Sequence, residues 1–110
     1  MKQIAQRVAG GETVVFHPTG NSMVPLVRSH DEVVVAPVNP ALVEVGDIVL
    51  TRVKGNVYLH LVKAIEPSRR RVQIGNNRGG TNGWTGFDRV YGIAIRVAGN
   101  DRPGAREKVA

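Results

Sequence analysis

Short runs of β-branched residues separated by Gly, Pro and Asn set the rhythm of this chain. Glu12 to Phe16 is such a run, bounded by Gly10-Gly11 and Pro18. Glu32 to Ala36 is Val-rich and stops at Pro37, and Ile48 to Val53 follows the turn residues Gly46-Asp47. Lys54-Gly55-Asn56 is a hairpin signal, so Val57 to Ile65 reads as the returning strand. Pro67-Ser68 marks another turn before Arg71 to Ile74, and Val90 to Val97 is the last strand. Pro37 to Val45 reads as a connection and Gly75 to Gly86 as a Gly/Asn-rich loop. Helical spacing is confined to the first eight residues, Met1 to Val8. The pattern predicts an all-β fold: a small coiled sheet or partly open β-barrel formed by residues 1–98. Residues 99–110 are polar and are expected to fray as a flexible C-terminal tail.

Composition narrows the chemistry. A chain of 110 residues with 42% hydrophobic content can close one domain around a modest core. The absence of cysteine removes disulfides, thiolate catalysis and Cys-ligated zinc. No apolar run reaches the roughly 20 residues of a membrane helix, and Met1 to Val8 is charged without a signal-peptide core. The expectation is a soluble, cytoplasmic protein. Its net charge of +6, from 15 Lys and Arg against 9 Asp and Glu, favours acidic partners, nucleic acid included. However, only Arg69-Arg70-Arg71 forms a basic run, and base-stacking aromatics are few: Phe16, Tyr58, Trp84, Phe87 and Tyr91. A solvated basic surface is the simpler reading.

Candidate chemistry centres on Gly20-Asn21-Ser22-Met23-Val24-Pro25 and, further along, His60. A hydroxyl in a turn opened by Gly and closed by Pro can be presented as a nucleophile with its neighbouring backbone N–H groups free for an oxyanion. Asn21 and Ser22 are the backbone donors expected here, and Met23 and Pro25 the flanking substrate contacts. Histidine suits the general base at neutral pH, with an unperturbed pKa of about 6.5. Strand alternation puts Tyr58, His60 and Val62 on one face and the rival base Lys63 on the other, unless a bulge intervenes. His17 and His30 read as surface residues.

Several boxes in order carry a family resemblance. They are Gly20 to Pro25, Val45-Gly46-Asp47-Ile48-Val49, Tyr58-Leu59-His60, the Gly75-Asn76-Asn77 loop and Asp88-Arg89-Val90-Tyr91-Gly92. Their order resembles the serine peptidase superfamily of signal peptidase I and the self-cleaving SOS repressors, across roughly residues 9 to 97. The resemblance implies a serine endopeptidase with Ser22 as nucleophile and His60 as base, as in the histidine-using branch. It implies a peptide or protein substrate and neither cofactor nor metal. Asp88 is the acid implied to orient the base, with Asp47 the alternative; Asp47 also suits a purely structural role in its Gly-Asp turn. The sequence departs from the family pattern at Asn76, where the family reads Asp, and at Leu61, where it often has Arg. Ala9-Gly10 resembles the self-cleavage segment of the repressors, although a flexible lead-in to the first strand explains it more simply. The alternative function is a catalytically weak β-barrel that binds protein or nucleic acid.

Overall fold

The Val- and Ile-rich runs form strands because branched side chains pack well on a pleated surface that is covered on both sides. The computed structural model describes residues 1–110. It is mostly β, with one helix, α1 (Lys2–Ala9), and eight strands. These are β1 (Val14–Phe16), β2 (Val33–Pro37), β3 (Ile48–Val53), β4 (Asn56–Glu66), β5 (Arg71–Gly75), β6 (Thr81–Gly86), β7 (Val90–Val97) and β8 (Asn100–Asp101). They make a single antiparallel sheet in the order β1-β2-β7-β3-β4-β5-β6, with β8 paired to β7. The sheet is not closed, since β1 and β6 are its two ends. It coils enough for β6 to meet β3 again, where the Thr85 hydroxyl donates to the Arg52 carbonyl at 2.7 Å.

Alternation along the strands feeds two apolar clusters. Ile48, Leu50, Leu59 and Leu61 join Val33, Val35 and Ala94 in one, together with Ala5 and Val8 of α1. Val49, Val62, Val72, Ile74, Ile93 and Phe87 form the other. The first cluster also takes in Met23 and Val27, so the segment carrying Ser22 is nailed to the core by residues on either side of an exposed tip.

Two expectations need correction. The stretch Gly75 to Gly86 is not all loop, because Thr81–Gly86 pairs with β5 as an edge strand. Its local sequence, Thr-Asn-Gly-Trp-Thr-Gly, has little strand signature of its own; the β5 ladder supplies it. The C-terminal tail does not fray either. After a turn in which Ala98 and Gly99 both take positive φ, the chain pairs as β8, buries Ala105, and places Val109 in a bridge to Val38. Lys108 anchors this strap, reaching Asp47 at 2.8 Å and Glu44 at 2.9 Å.

Candidate active site

Gly20 opens the nucleophile turn at φ +100°, a conformation that side chains with a Cβ rarely adopt. From there the segment is tied to itself: His30 N–H donates to the Pro18 carbonyl at 2.7 Å, and Val27 N–H to the Met23 carbonyl at 3.0 Å. The Val24–Pro25 peptide is cis. The result leaves Ser22 exposed while the next residue, Met23, is only 4% exposed. Burying such a side chain is worth about 1.5–3 kcal/mol, which holds the turn against the core.

His60 enters from β4, where it pairs across from Val49 of β3. Its Nε2 lies 3.1 Å from Ser22 Oγ. The ring stacks on Tyr58, its same-face neighbour two residues back, with centroids 4.9 Å apart and planes 25° from parallel. Its other nitrogen, Nδ1, is 2.6 Å from Asn82 Oδ1. With a carbonyl oxygen facing it, Nδ1 is placed to donate, which leaves the Nε2 lone pair for the Ser22 hydroxyl. Burial of the ring pushes the His60 pKa below its ordinary 6.5, outweighing the Asn82 hydrogen bond, which acts in the opposite direction. Burial thus favours the neutral imidazole, the state a general base requires.

The N–H groups of Asn21, Ser22 and Met23 have no acceptor within the protein. Unsatisfied donors beside a nucleophile can hold a developing oxyanion. The cleft between Ser22 and His60 has a volume of about 70 Å³ and is lined by Pro18, Thr19, Met23, Val27, Tyr58 and Leu59, with Arg28 the charged side chain among the residues that form it. That is room for a side chain, not for the drug-sized occupants that fill pockets of several hundred Å³.

No family model, curated protein or solved structure matches this chain. The site therefore stands on its own geometry. No cluster of three or more His, Asp or Glu side chains could hold a metal ion.

Of the residues singled out from the sequence, Ser22, His60 and Met23 come together at this site, while Asn21 adjoins Ser22 in the turn without lining the cleft. Pro25 does not line the cleft; it is exposed and faces a separate groove beside Leu26 and Val97. Asp88 is not the partner of His60. It sits on the short 3₁₀ turn Phe87–Arg89, in grooves with Pro40 and Phe87, because β6 continues to Gly86 and carries the chain away from the base before Asp88 is reached. Asp47 is committed elsewhere, accepting from Glu44 N–H at 2.7 Å and from Lys108 Nζ. A bulge does occur at Lys63, which has no partner between the Val62 and Ala64 registers, but its carbon stem lies beside Gly75 and it makes no hydrogen bond to Ser22. His17 and His30 are exposed. Ala9 ends α1 and lines a groove with Val8 and Gly11 that shares no residue with the Ser22 cleft.

Two site residues were given no role from the sequence, although one, Asn77, lies in the Gly75-Asn76-Asn77 box. Asn82 is one, hidden in a stretch whose Gly and Asn content signals only a loop; the one local hint is the adjoining Gly83, which takes φ +130° at the bulge. Asn77 is the other. Its N–H donates to the Ser22 carbonyl at 2.8 Å and its side-chain amide to the Val24 carbonyl at 3.0 Å, so it grips the nucleophile turn from the opposite side.

Proposed function

We propose that this chain is a serine endopeptidase-like hydrolase of the signal peptidase and SOS repressor type, working through Ser22 and His60. The observation that carries the reading is the chain of contacts Ser22 Oγ to His60 Nε2 at 3.1 Å and His60 Nδ1 to Asn82 Oδ1 at 2.6 Å. A nucleophile bonded to a base that is itself bonded to an orienting group is the arrangement acyl transfer uses on many unrelated folds. The burial that favours a neutral ring and the free N–H groups at the turn support it further.

In the mechanism, His60 Nε2 takes the Ser22 hydroxyl proton as Oγ bonds to a peptide carbonyl carbon. The carbonyl electron pair moves to oxygen, which the N–H groups of Ser22 and its neighbours hold. The tetrahedral species then expels the amine, which leaves with the proton from Nε2. Water repeats the sequence on the acyl-enzyme, His60 again serving as base and then acid, and frees the carboxylate product. Because Ala9-Gly10 lies away from the Ser22 cleft, the reading favours a substrate supplied by another chain over cleavage at that bond.

The test is labelling with a fluorophosphonate, which phosphonylates activated serines. Wild type should label at one site, and Ser22→Ala and His60→Ala should each abolish labelling to a similar extent, since members of a catalytic unit are not additive. Labelling that survives Ser22→Ala, or none in folded wild type, overturns the enzyme reading.

The second reading, a binding module for acidic partners, draws on the basic turn after β4. There the Arg70 guanidinium lies 5.2 Å from the Phe87 ring centroid, and that of Arg71 lies 4.7 Å from the Trp84 centroid. Glu66 bonds Arg71 at 2.6 Å and contacts Arg69 at 3.7 Å, which offsets much of the local charge. This reading is second for that reason.

A further inference from the structure

The β5–β6 hairpin holds both halves of the site. Its connecting turn is locked by Asn76, whose Oδ1 accepts from Arg78 N–H at 2.9 Å and from Gly80 N–H at 2.8 Å. Next to it Asn77 grips the Ser22 turn through the Ser22 and Val24 carbonyls. On the returning strand, Ile74 pairs with Gly83 and Gly75 with Thr81, so Asn82 is the extra residue of a β-bulge. Bulges re-aim the side chain they carry. Here the aim is across the end of β5 to His60, which sits on the strand beyond it.

We propose that Asn82 is the positioning residue of this site: its side-chain carbonyl holds the His60 Nδ1–H tautomer and so turns the Nε2 lone pair to Ser22, and as an uncharged amide it favours the imidazolium less than a carboxylate would. The proposal rests on the hydrolase reading above. A carboxylate in this place would both orient the ring and favour its charged form. An amide does the first and only weakly the second. The groups that bond to or stack on the ring are Ser22 from the turn, Tyr58 from the same strand and Asn82 from β6, and none of them is a carboxylate; Met1, at the chain's amino end, also lines the cleft. Arg28, the charged side chain among the cleft residues, is cationic and does not favour a protonated ring. The design trades basicity for availability, keeping the base neutral to lower pH at the cost of a less stabilised imidazolium during proton transfer.

The experiment is long-range ¹H–¹⁵N NMR of the His60 ring in the full chain, run beside fluorophosphonate labelling across pH, for wild type, Asn82→Ala and Asn82→Asp. Wild type should show the Nδ1–H tautomer. Asn82→Ala should show mixed tautomers and label about 10- to 100-fold more slowly. Asn82→Asp should restore the single tautomer and raise the His60 pKa by about one pH unit or more. It also keeps the acceptor, so it carries the test if the alanine variant fails to fold. An Nε2–H tautomer in wild type overturns the proposal, since Asn82 would then be presenting its NH₂ to the ring. Unchanged tautomer and labelling in Asn82→Ala overturn it too, while leaving the hydrolase reading intact. An Asn82-dependent tautomer with no labelling in wild type has the opposite meaning: the positioning stands and the hydrolase reading falls.

Discussion

Ser22 and Met23 are neighbours with opposite fates, one exposed at a turn tip and the other buried in the core, and this contrast makes a reactive serine compatible with a rigid site. The same economy applies to His60, which is 8% exposed yet bonded at both ring nitrogens. Its lowered pKa has a definite sign in two experiments. A general base works when neutral, so the acid limb of kcat/KM should have its midpoint below pH 6.5, at the folded-state pKa. Stability should follow the same window. The unfolded chain takes up the proton first, near pH 6.5, so the contribution of His60 is fully present above that value and declines as pH falls toward the folded pKa. A pH–rate profile beside an NMR titration of the ring checks both. An acid limb centred above 6.5 contradicts the geometry, because it requires a group that favours the imidazolium. At this scale the sequence picked out Ser22 and His60, which the structure brings together, but not Asn82, which bonds the ring. Ser22 and His60 stood out through the order and spacing of the boxes that hold them, whereas an Asn beside Gly is first of all a loop residue.

At the level of elements, α1 packs on the sheet only because one strand position lacks a side chain. A Cβ built on Gly92 of β7 would come within 2.6 Å of Val8 Cγ1 on the helix and 2.7 Å of Val35 Cγ1 on β2. Gly92→Ala should therefore cost about 1–3 kcal/mol as an overpacking defect. Adding Val8→Ala should recover part of that loss, the two changes being less than additive because they share one contact. Urea midpoints of the single and double variants measure this, and a neutral Gly92→Ala would show that α1 does not seat against β7 as described. Most strands were legible from alternation and turn residues, with edges shifted by a residue or two where hydrogen bonding continues past the apolar run. Strand β6 was not legible. Of its residues only Trp84 and Thr81 and Thr85 favour strands, and pairing to β5 overrides the rest.

For the molecule as a whole, the C-terminal strap ties the connection between β2 and β3 to the rest of the sheet. Asn39 N–H donates to the Lys108 carbonyl at 2.9 Å, Arg102 Nη2 to the Gly46 carbonyl at 3.0 Å, and the Lys108 ammonium meets Asp47 and Glu44. Burial alone would lower the Lys108 pKa, but the hydrogen bonds and charges of Asp47 and Glu44 outweigh it and hold it above the ordinary 10.5. That stabilisation is fully present below pH 10.5 and is lost as pH rises through the folded value. Lys108→Ala leaves the Asp47 carboxylate buried without its partner and should cost about 3–5 kcal/mol. Chemical denaturation at pH 7 gives the number, and a loss under about 1 kcal/mol would mean that the strap frays as its composition suggests.

The sequence by itself determined the β class, most strand positions and the Ser22 and His60 pair as candidates, because these depend on local quantities: apolar period, turn chemistry and the intrinsic chemistry of serine and histidine. Only the tertiary structure decided that Asn82, not Asp88, meets the base, that β6 exists, and that the tail is a strap. Each of these rests on a contact between residues far apart in the chain: Asn82 with His60, β6 with β5, and Lys108 with Asp47. The energy of such a contact depends on where a bulge or a turn points a side chain, which no local pattern in the sequence records.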